Sequence, residues 1–179
     1  MENINKEQSN ITAPQSMRIS VNVNGKEIDK EVNVRMLLSD FLRHELGLKG
    51  THVGCEHGIC GACTVIIDEK SARSCIMFAI QADGAKIRTI ESVAETNGDL
   101  NYLQKAFQDN HALQCGYCTP GLIMNILNQF ETNDSLDLSD EGIRLMISGN
   151  LCRCTGYVNI VKAVRQAAKS KGIKDKGTL

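Results

Sequence analysis

The sequence predicts an α+β protein built as two cysteine-bearing halves. Three observations carry that prediction. Ile19, Val21 and Val23 alternate with polar residues, the period of a half-buried strand, and an Asn24-Gly25 pair follows. After about Val93 the apolar period becomes helical. Eight cysteines fall into two sets of four, one on each side of that change.

Residues 1–16 are polar and read as a disordered lead-in. The Asn24-Gly25 turn then joins the first strand to a second at 28–32. Leu37, Leu38, Phe41, Leu42 and Leu46 recur at helical spacing, and Gly47 is a fitting stop. A glycine-rich segment, 50–63, carries three cysteines. A short β-branched strand follows at 64–67, with another at 85–90. Hairpin, helix, cysteine loop and strands give a β-grasp reading for 17–96. Asn97-Gly98-Asp99 is a breaker and cap, which sets the boundary.

Residues 97–170 then read as an all-α four-helix domain, with helices at about 100–109, 119–131, 139–148 and 157–170. Thr119-Pro120 is a start signal, a capping hydroxyl with Pro at the first helical position. Ser139 and Asp140 offer a similar start, and Gly149 suits a stop. The remaining cysteines fall between the first and second helices and between the third and fourth. Two helical hairpins would thus face each other across one site. The end of the chain, 171–179, reads as a basic, solvated tail.

The cysteine spacing carries the chemistry. Cys55-x4-Cys60-x2-Cys63, followed by Cys75, is the spacing of plant-type [2Fe–2S] ferredoxins. Cys115-x2-Cys118 and Cys152-x-Cys154 make a second set of four thiols. Iron in such clusters takes soft thiolate ligands. Gly54, Gly58 and Gly61 let the first loop lie close to a bound group, so that backbone N–H groups can point at sulfur. Two clusters on one small chain make stepping stones for single electrons. Zinc in a four-thiolate site is the chemical competitor, and a zinc-stabilised interaction module the corresponding function. A Rieske centre would need two histidine ligands, and eight cysteines already fill two cages.

Composition bounds the remainder. Aromatic residues make up 4% of the 179, with no Trp, so the cores must be built from aliphatic side chains. Small lean domains gain stability from a bound metal, because ligands gathered only in the fold couple binding to folding. A net charge of −1 argues against nucleic-acid binding. No apolar run approaches the roughly 20 residues that span a bilayer, so no membrane span and a cytoplasmic location are expected. In a reducing compartment the cysteines favour metal over disulfides. No phosphate loop, nucleophile elbow or dinucleotide fingerprint is present, so no catalytic residue is assigned.

Three strings carry a family resemblance: Cys55-Glu56-His57-Gly58-Ile59-Cys60-Gly61-Ala62-Cys63-Thr64-Val65, Gln114-Cys115-Gly116-Tyr117-Cys118-Thr119-Pro120-Gly121, and Gly149-Asn150-Leu151-Cys152-Arg153-Cys154-Thr155-Gly156-Tyr157. Together they resemble the small iron–sulfur subunit of xanthine oxidase-family molybdenum hydroxylases, of carbon monoxide dehydrogenase, aldehyde or N-heterocycle dehydrogenase type. The resemblance runs from about Met17 to Ala168. It implies a plant-type ferredoxin domain with a distal, more exposed [2Fe–2S] cluster on Cys55, Cys60, Cys63 and Cys75. It implies a helical domain with a proximal [2Fe–2S] cluster on Cys115, Cys118, Cys152 and Cys154, buried toward a partner. It places Gln114 and Cys154 against a molybdopterin cofactor, as its cytosine dinucleotide, in a large partner subunit. A medium subunit carrying FAD would take the electrons next, in a dimer of heterotrimers. The chain would then be the electron-transfer subunit of an oxidoreductase whose substrate chemistry is on a partner; the competing function is a free-standing two-cluster carrier. One departure stands out: Glu56-His57-Gly58-Ile59 is bulkier and more polar than the small residues common in the family loop, which bears on the flavin-side docking surface.

Overall fold

The structure, a computed structural model, describes residues 15–177. Most of the expected lead-in, 1–14, lies outside the described residues, and Ser16 already belongs to the first strand. The described residues are mixed α/β, with a five-stranded sheet and five α-helices among them.

Strands β1 (Ser16–Val23) and β2 (Lys26–Asn33) pair antiparallel, from Ser16 opposite Asn33 to Val23 opposite Lys26. Asn24 and Gly25 both have positive φ, 53° and 81°, as the two-residue hairpin turn demands. Ile19, Val21 and Val23 point into the core, whereas only Val32 of the charged β2 is buried, which suits an edge strand. The next element begins as α1 (Leu38–Asp40) and widens at once into a π-turn over Phe41–Glu45, closed by Leu46 N–H donating to Phe41 O at 3.1 Å. Gly47, at φ 71°, ends it. Leu38, Phe41 and Leu42 are fully buried beneath the sheet.

Strand β3 (Thr64–Ile67) turns back into β4 (Lys70–Arg73), which the sequence did not announce. The turn residues are Asp68 and Glu69, both with positive φ and neither a glycine, so the usual hairpin signal is missing. Strand β5 (Lys86–Arg88) is shorter than the expected 85–90 and sits between β1, parallel, and β3, antiparallel. The strand order is β2-β1-β5-β3-β4.

Four helices follow: α2 (Tyr102–Asp109), α3 (Thr119–Thr132), α4 (Asp140–Met146) and α5 (Val158–Lys171). Asn101 caps α2, accepting from Leu103 N–H and Gln104 N–H while Gln104 reaches back to its backbone, a capping box. Ser139 caps α4 through Gly142 N–H. Gly172, left-handed at φ 78°, stops α5. The expectation of a purely helical second half needs correction. Strand β6 (Ser135–Leu136) pairs in parallel with β7 (Lys174–Asp175), so part of the expected free tail is tied back, although both β7 residues stay exposed.

Two cores meet across β3. Val65 faces the core under α1, while Ile66, on the opposite face, belongs to the helical core with Leu122, Ile126 and Ile160. A period-2 strand thus serves both halves. Polar bonds mark the same seam. The Asn128 amide donates to Glu69 O at 2.6 Å and accepts from Ser71 N–H at 3.1 Å, so α3 supplies the donor and acceptor that the edge of β4 lacks. Arg88 grips Glu131 with two bonds, 2.7 and 3.1 Å.

Candidate metal centre

The first cysteine loop is shaped by three left-handed residues, Glu56, Gly58 and Gly61. Their turns fold the backbone around Cys55, so that His57 N–H and Cys60 N–H donate to its sulfur at 3.3 and 3.4 Å. The Cys60 and His57 backbone bonds pull the Cys55 thiol down to about 6. Cys63 and Cys75 lie deeper. Ser74 donates from both its hydroxyl (2.8 Å) and its backbone (3.3 Å) to Cys63 O, which fixes Cys75 beside Cys63. Burial, and then Cys63, push the Cys75 thiol up to about 11. A Cβ at Gly58 would meet Ile76 Cδ1 at 2.9 Å, a contact the exposed Ile76 side chain can relieve by moving, so the left-handed φ of 74° is what favours glycine there.

The second set comes from the two helix-flanking turns. Gly116, at φ 80°, lets the first turn close, with Thr119 N–H donating to Gly116 O at 3.2 Å as α3 begins. Cys115 and Cys154 sulfurs approach to 3.5 Å. Cys118 and Cys152 are likewise neighbours, and burial followed by Cys152 pushes the Cys118 thiol up to about 12. Burial raises Cys152 as well, but bonds from Thr155 and the local backbone outweigh it and leave the thiol below its ordinary value. All eight cysteines are free thiols.

Both sets share one neighbourhood. A cleft of about 180 Å³ is lined by Cys115, Cys118, Cys152 and Cys154 of the second set and by Cys60 of the first. Leu151 N–H donates to Cys60 O at 2.8 Å, joining a residue flanked by Cys152 to a cysteine of the other loop. Asn150, buried to 1% exposure, holds the junction. Its amide donates to Gly61 O at 2.9 Å and accepts from Asn125 at 3.0 Å. Arg73 spans the same gap, from Thr64 Oγ1 (2.6 Å) to Gly149 O (2.7 Å). Tyr117 adds a stack on His52 at 4.5 Å and a bond to Val53 O at 2.8 Å. Asn150→Ala removes one of the donors to Gly61 O, which keeps Thr64, and one of the acceptors of the Asn125 amide, which keeps Met146 O. Unfolding in denaturant should therefore show a loss of about 1–3 kcal/mol from two buried hydrogen bonds. A change below about 0.5 kcal/mol would show that the junction is held by other contacts.

Exposure runs opposite to the expected order within this chain. Cys63 and Cys75 of the first set are buried, whereas Cys115 and Cys154 of the second are exposed. Burial of the second set therefore requires something outside the chain. Gln114 is exposed and precedes Cys115, whose sulfur meets Cys154, so the two residues expected to contact a pterin share one surface. The sequence reading overlooked Arg73, Asn150, Thr155 and Tyr157. Only the last three had a signal available, since they lie within the third quoted string.

The chemistry of the donors fits iron–sulfur clusters. The candidate ligands are all thiols, and backbone and hydroxyl donors already point at sulfur. The Thr119 hydroxyl, next to Cys118, is buried without a partner and so is free to donate to a bound group. Among the described residues no three His, Cys, Asp or Glu side chains are grouped to grip a single metal ion. The fit therefore rests on donor type and on these hydrogen bonds.

Comparison with known proteins bears on the same residues. A family model described as a 2Fe-2S iron-sulfur cluster binding domain matches 21–98, and one described as a [2Fe-2S] binding domain matches 89–165. The caffeine dehydrogenase gamma subunit of Pseudomonas sp. strain CBB1 is 53% identical over 87% of this chain and 93% of its own length. The beta subunit of the 6-hydroxypseudooxynicotine dehydrogenase complex of Paenarthrobacter nicotinovorans is 47% identical over 85% of this chain and 94% of its own. In the crystal structure of quinoline 2-oxidoreductase from Pseudomonas putida 86, one chain superposes with a TM-score of 0.82 at 42% identity, covering 88% of this chain and 97% of that one.

Proposed function

The chain belongs to the small iron–sulfur subunits of the xanthine oxidase-family molybdenum hydroxylases, and we propose from that membership a ligand set and a direction for its electrons. It is an electron-transfer subunit of an oxidoreductase, with [2Fe–2S]-binding domains, and works with partner subunits. None of its described helices is long and apolar enough to cross a membrane.

The proposal assigns one cluster to Cys55, Cys60, Cys63 and Cys75 in a plant-type ferredoxin domain at 17–96. It assigns the other to Cys115, Cys118, Cys152 and Cys154 in a four-helix domain at 97–170. Each cluster, when bound, takes up and passes on one electron. The chain's own residues hold the two sets one hydrogen bond apart, between Leu151 N–H and Cys60 O, and that observation carries the reading. Gln114 and Cys154 face the molybdopterin cofactor, as the cytosine dinucleotide, of a large subunit. Electrons pass from there to the second set, to the first, and on to FAD in a medium subunit, within a dimer of heterotrimers.

Apolar side chains exposed beside both sets support burial in an assembly. Ile59, Ile76 and Phe78 flank the first; Leu113, Tyr117, Leu151 and Val158 flank the second. A free-standing carrier has no use for either rim. Metal analysis and low-temperature EPR on the dithionite-reduced protein, purified with its natural partners, test the reading. About four irons per chain, two for each cluster, and two distinct signals are expected, with molybdenum and flavin in the same peak. Zinc without a signal would remove the electron-transfer role; iron without any partner would favour the free carrier.

A further inference from the structure

Each cysteine turn of the second set ends in Cys-Thr: Cys118-Thr119 and Cys154-Thr155. In the second turn the hydroxyl already has an acceptor. Thr155 Oγ1 lies 3.2 Å from Cys152 Sγ. We propose that the Thr155 hydroxyl tunes the second cluster, its O–H···S bond to Cys152 raising the cluster's reduction potential. This rests on the reading that Cys152 is a cluster ligand.

The geometry fixes where the hydroxyl proton points. Tyr157 N–H donates to Thr155 Oγ1 at 3.2 Å, occupying a lone pair and leaving the single hydroxyl proton for sulfur. Tyr157 is itself held in a left-handed conformation, φ 67°, which side chains rarely adopt. Its phenol is anchored twice: it accepts from Cys152 N–H at 2.8 Å and donates to Asn150 O at 3.3 Å. One strained residue therefore grips both the backbone of Cys152 and the threonine that faces its sulfur. The Cys152 sulfur is met by the Thr155 hydroxyl, by the backbone of Thr155 and Cys154, and by the Cys118 side chain.

The direction of the effect follows from charge. Reduction adds one electron and one unit of negative charge to the cluster and its thiolates, with no bond made or broken and no proton moved. A donor at sulfur stabilises the reduced form more than the oxidised one. At Cys55, in the first set, the sulfur is met by backbone N–H groups and by the Cys60 thiol. A side-chain hydroxyl is thus a lever on the second cluster, the one placed to receive electrons first.

The test is an EPR-monitored redox titration, with dithionite as electron source, of the purified complex carrying Thr155→Val or Thr155→Ser. Thr155→Val removes the hydroxyl at nearly constant shape. It should lower one signal's midpoint, so that its reduced-to-oxidised ratio at a fixed potential falls about three- to tenfold. The upper figure corresponds to about 59 mV for one electron. The other signal should not move, and Thr155→Ser should restore the original midpoint. Two intact signals with unchanged midpoints in the valine variant would overturn the proposal. So would a serine variant that shifts as far as valine, since packing and not the hydroxyl would then matter. If valine loses the cluster, Thr155→Ala is titrated in its place, and loss in both variants would make the residue structural. Absence of two signals from the unmodified complex would instead overturn the ligand assignment beneath the proposal.

Discussion

Cys118→Ser should abolish one of the two EPR signals, halve the iron and stop turnover of the complex. The expectation follows from where the sulfur sits. Cys118 is half-buried at the start of α3, beside Cys152, and its thiol is pushed up to about 12, by burial first and by Cys152 second. Only the binding of iron makes a thiolate favourable there. A serine hydroxyl is a harder ligand and loses its proton still less readily, so it will not replace the thiol in so dry a place. Removing an outer-shell partner of a metal ligand costs roughly 10–100-fold in affinity or activity, and removing a ligand itself should exceed that. The second cluster lies between the pterin contact at Gln114 and Cys154 and the first cluster in the proposed relay. Substrate could reduce molybdenum once in the variant, but electrons would have no onward path. Steady-state turnover with the natural substrate, measured beside iron content, checks this. Turnover near the unmodified rate with one signal missing would overturn the relay order; two intact signals would overturn the ligand assignment.

How much was legible in the sequence depended on whether a residue's role is local. Ile19, Val21 and Val23 showed their strand because alternation is local, and Asn24-Gly25 showed its turn because left-handed backbone favours those residues. Cys55, Cys60 and Cys63 were legible as a group because spacing within one loop is local, whereas Cys115 and Cys154, 39 positions apart, meet only through the packing of two separate turns. Strand β4 was hidden by a turn made from Asp68 and Glu69, which hold positive φ without glycine. The π-turn after Leu38 was hidden because it keeps the same apolar face as an ordinary helix while adding one residue to the ring. Strand β7 has no apolar alternation and is set by its partner at Ser135–Leu136. At the site, Arg73 and Asn150 bind residues more than 75 positions away, Gly149 and Gly61, and no local pattern could reveal such pairings. Thr155 and Tyr157 stood inside a recognised string, yet their roles needed coordinates: a hydroxyl aimed at sulfur is a matter of ångströms.

The other large effect expected is at Gly61, and it tests whether the two cysteine loops form one unit. Gly61 sits between Cys60 and Cys63 with φ 73°. A Cβ there would press into Gly149 O and come within 2.6 Å of Asn150 Nδ2 and 3.0 Å of Asn150 Cα. From the other side, Gly121 of α3 lies so close to the same loop that its own Cβ would meet Ala62 O at 2.9 Å. The first loop is thus clamped between two backbones and cannot retreat from an added methyl group. Gly61→Ala carries two costs. The left-handed conformation costs a residue with Cβ about 1–2 kcal/mol. Forcing the methyl into packed backbone adds about 1–3 kcal/mol. Together these are a large part of the 5–15 kcal/mol that holds a typical domain. Gly84→Ala separates the two: Gly84 has nearly the same φ, 76°, but nothing within 4 Å of its would-be Cβ. Thermal unfolding of the iron-loaded protein should therefore show Gly61→Ala less stable than Gly84→Ala by the packing share alone. The same methyl should also loosen the Leu151 N–H to Cys60 O bond, so Gly61→Ala should lose iron from both sets when challenged with a chelator. Equal stability of the two variants would mean that the loops tolerate separation, and the hydrogen bond between them could no longer be counted as a fixed link in the relay.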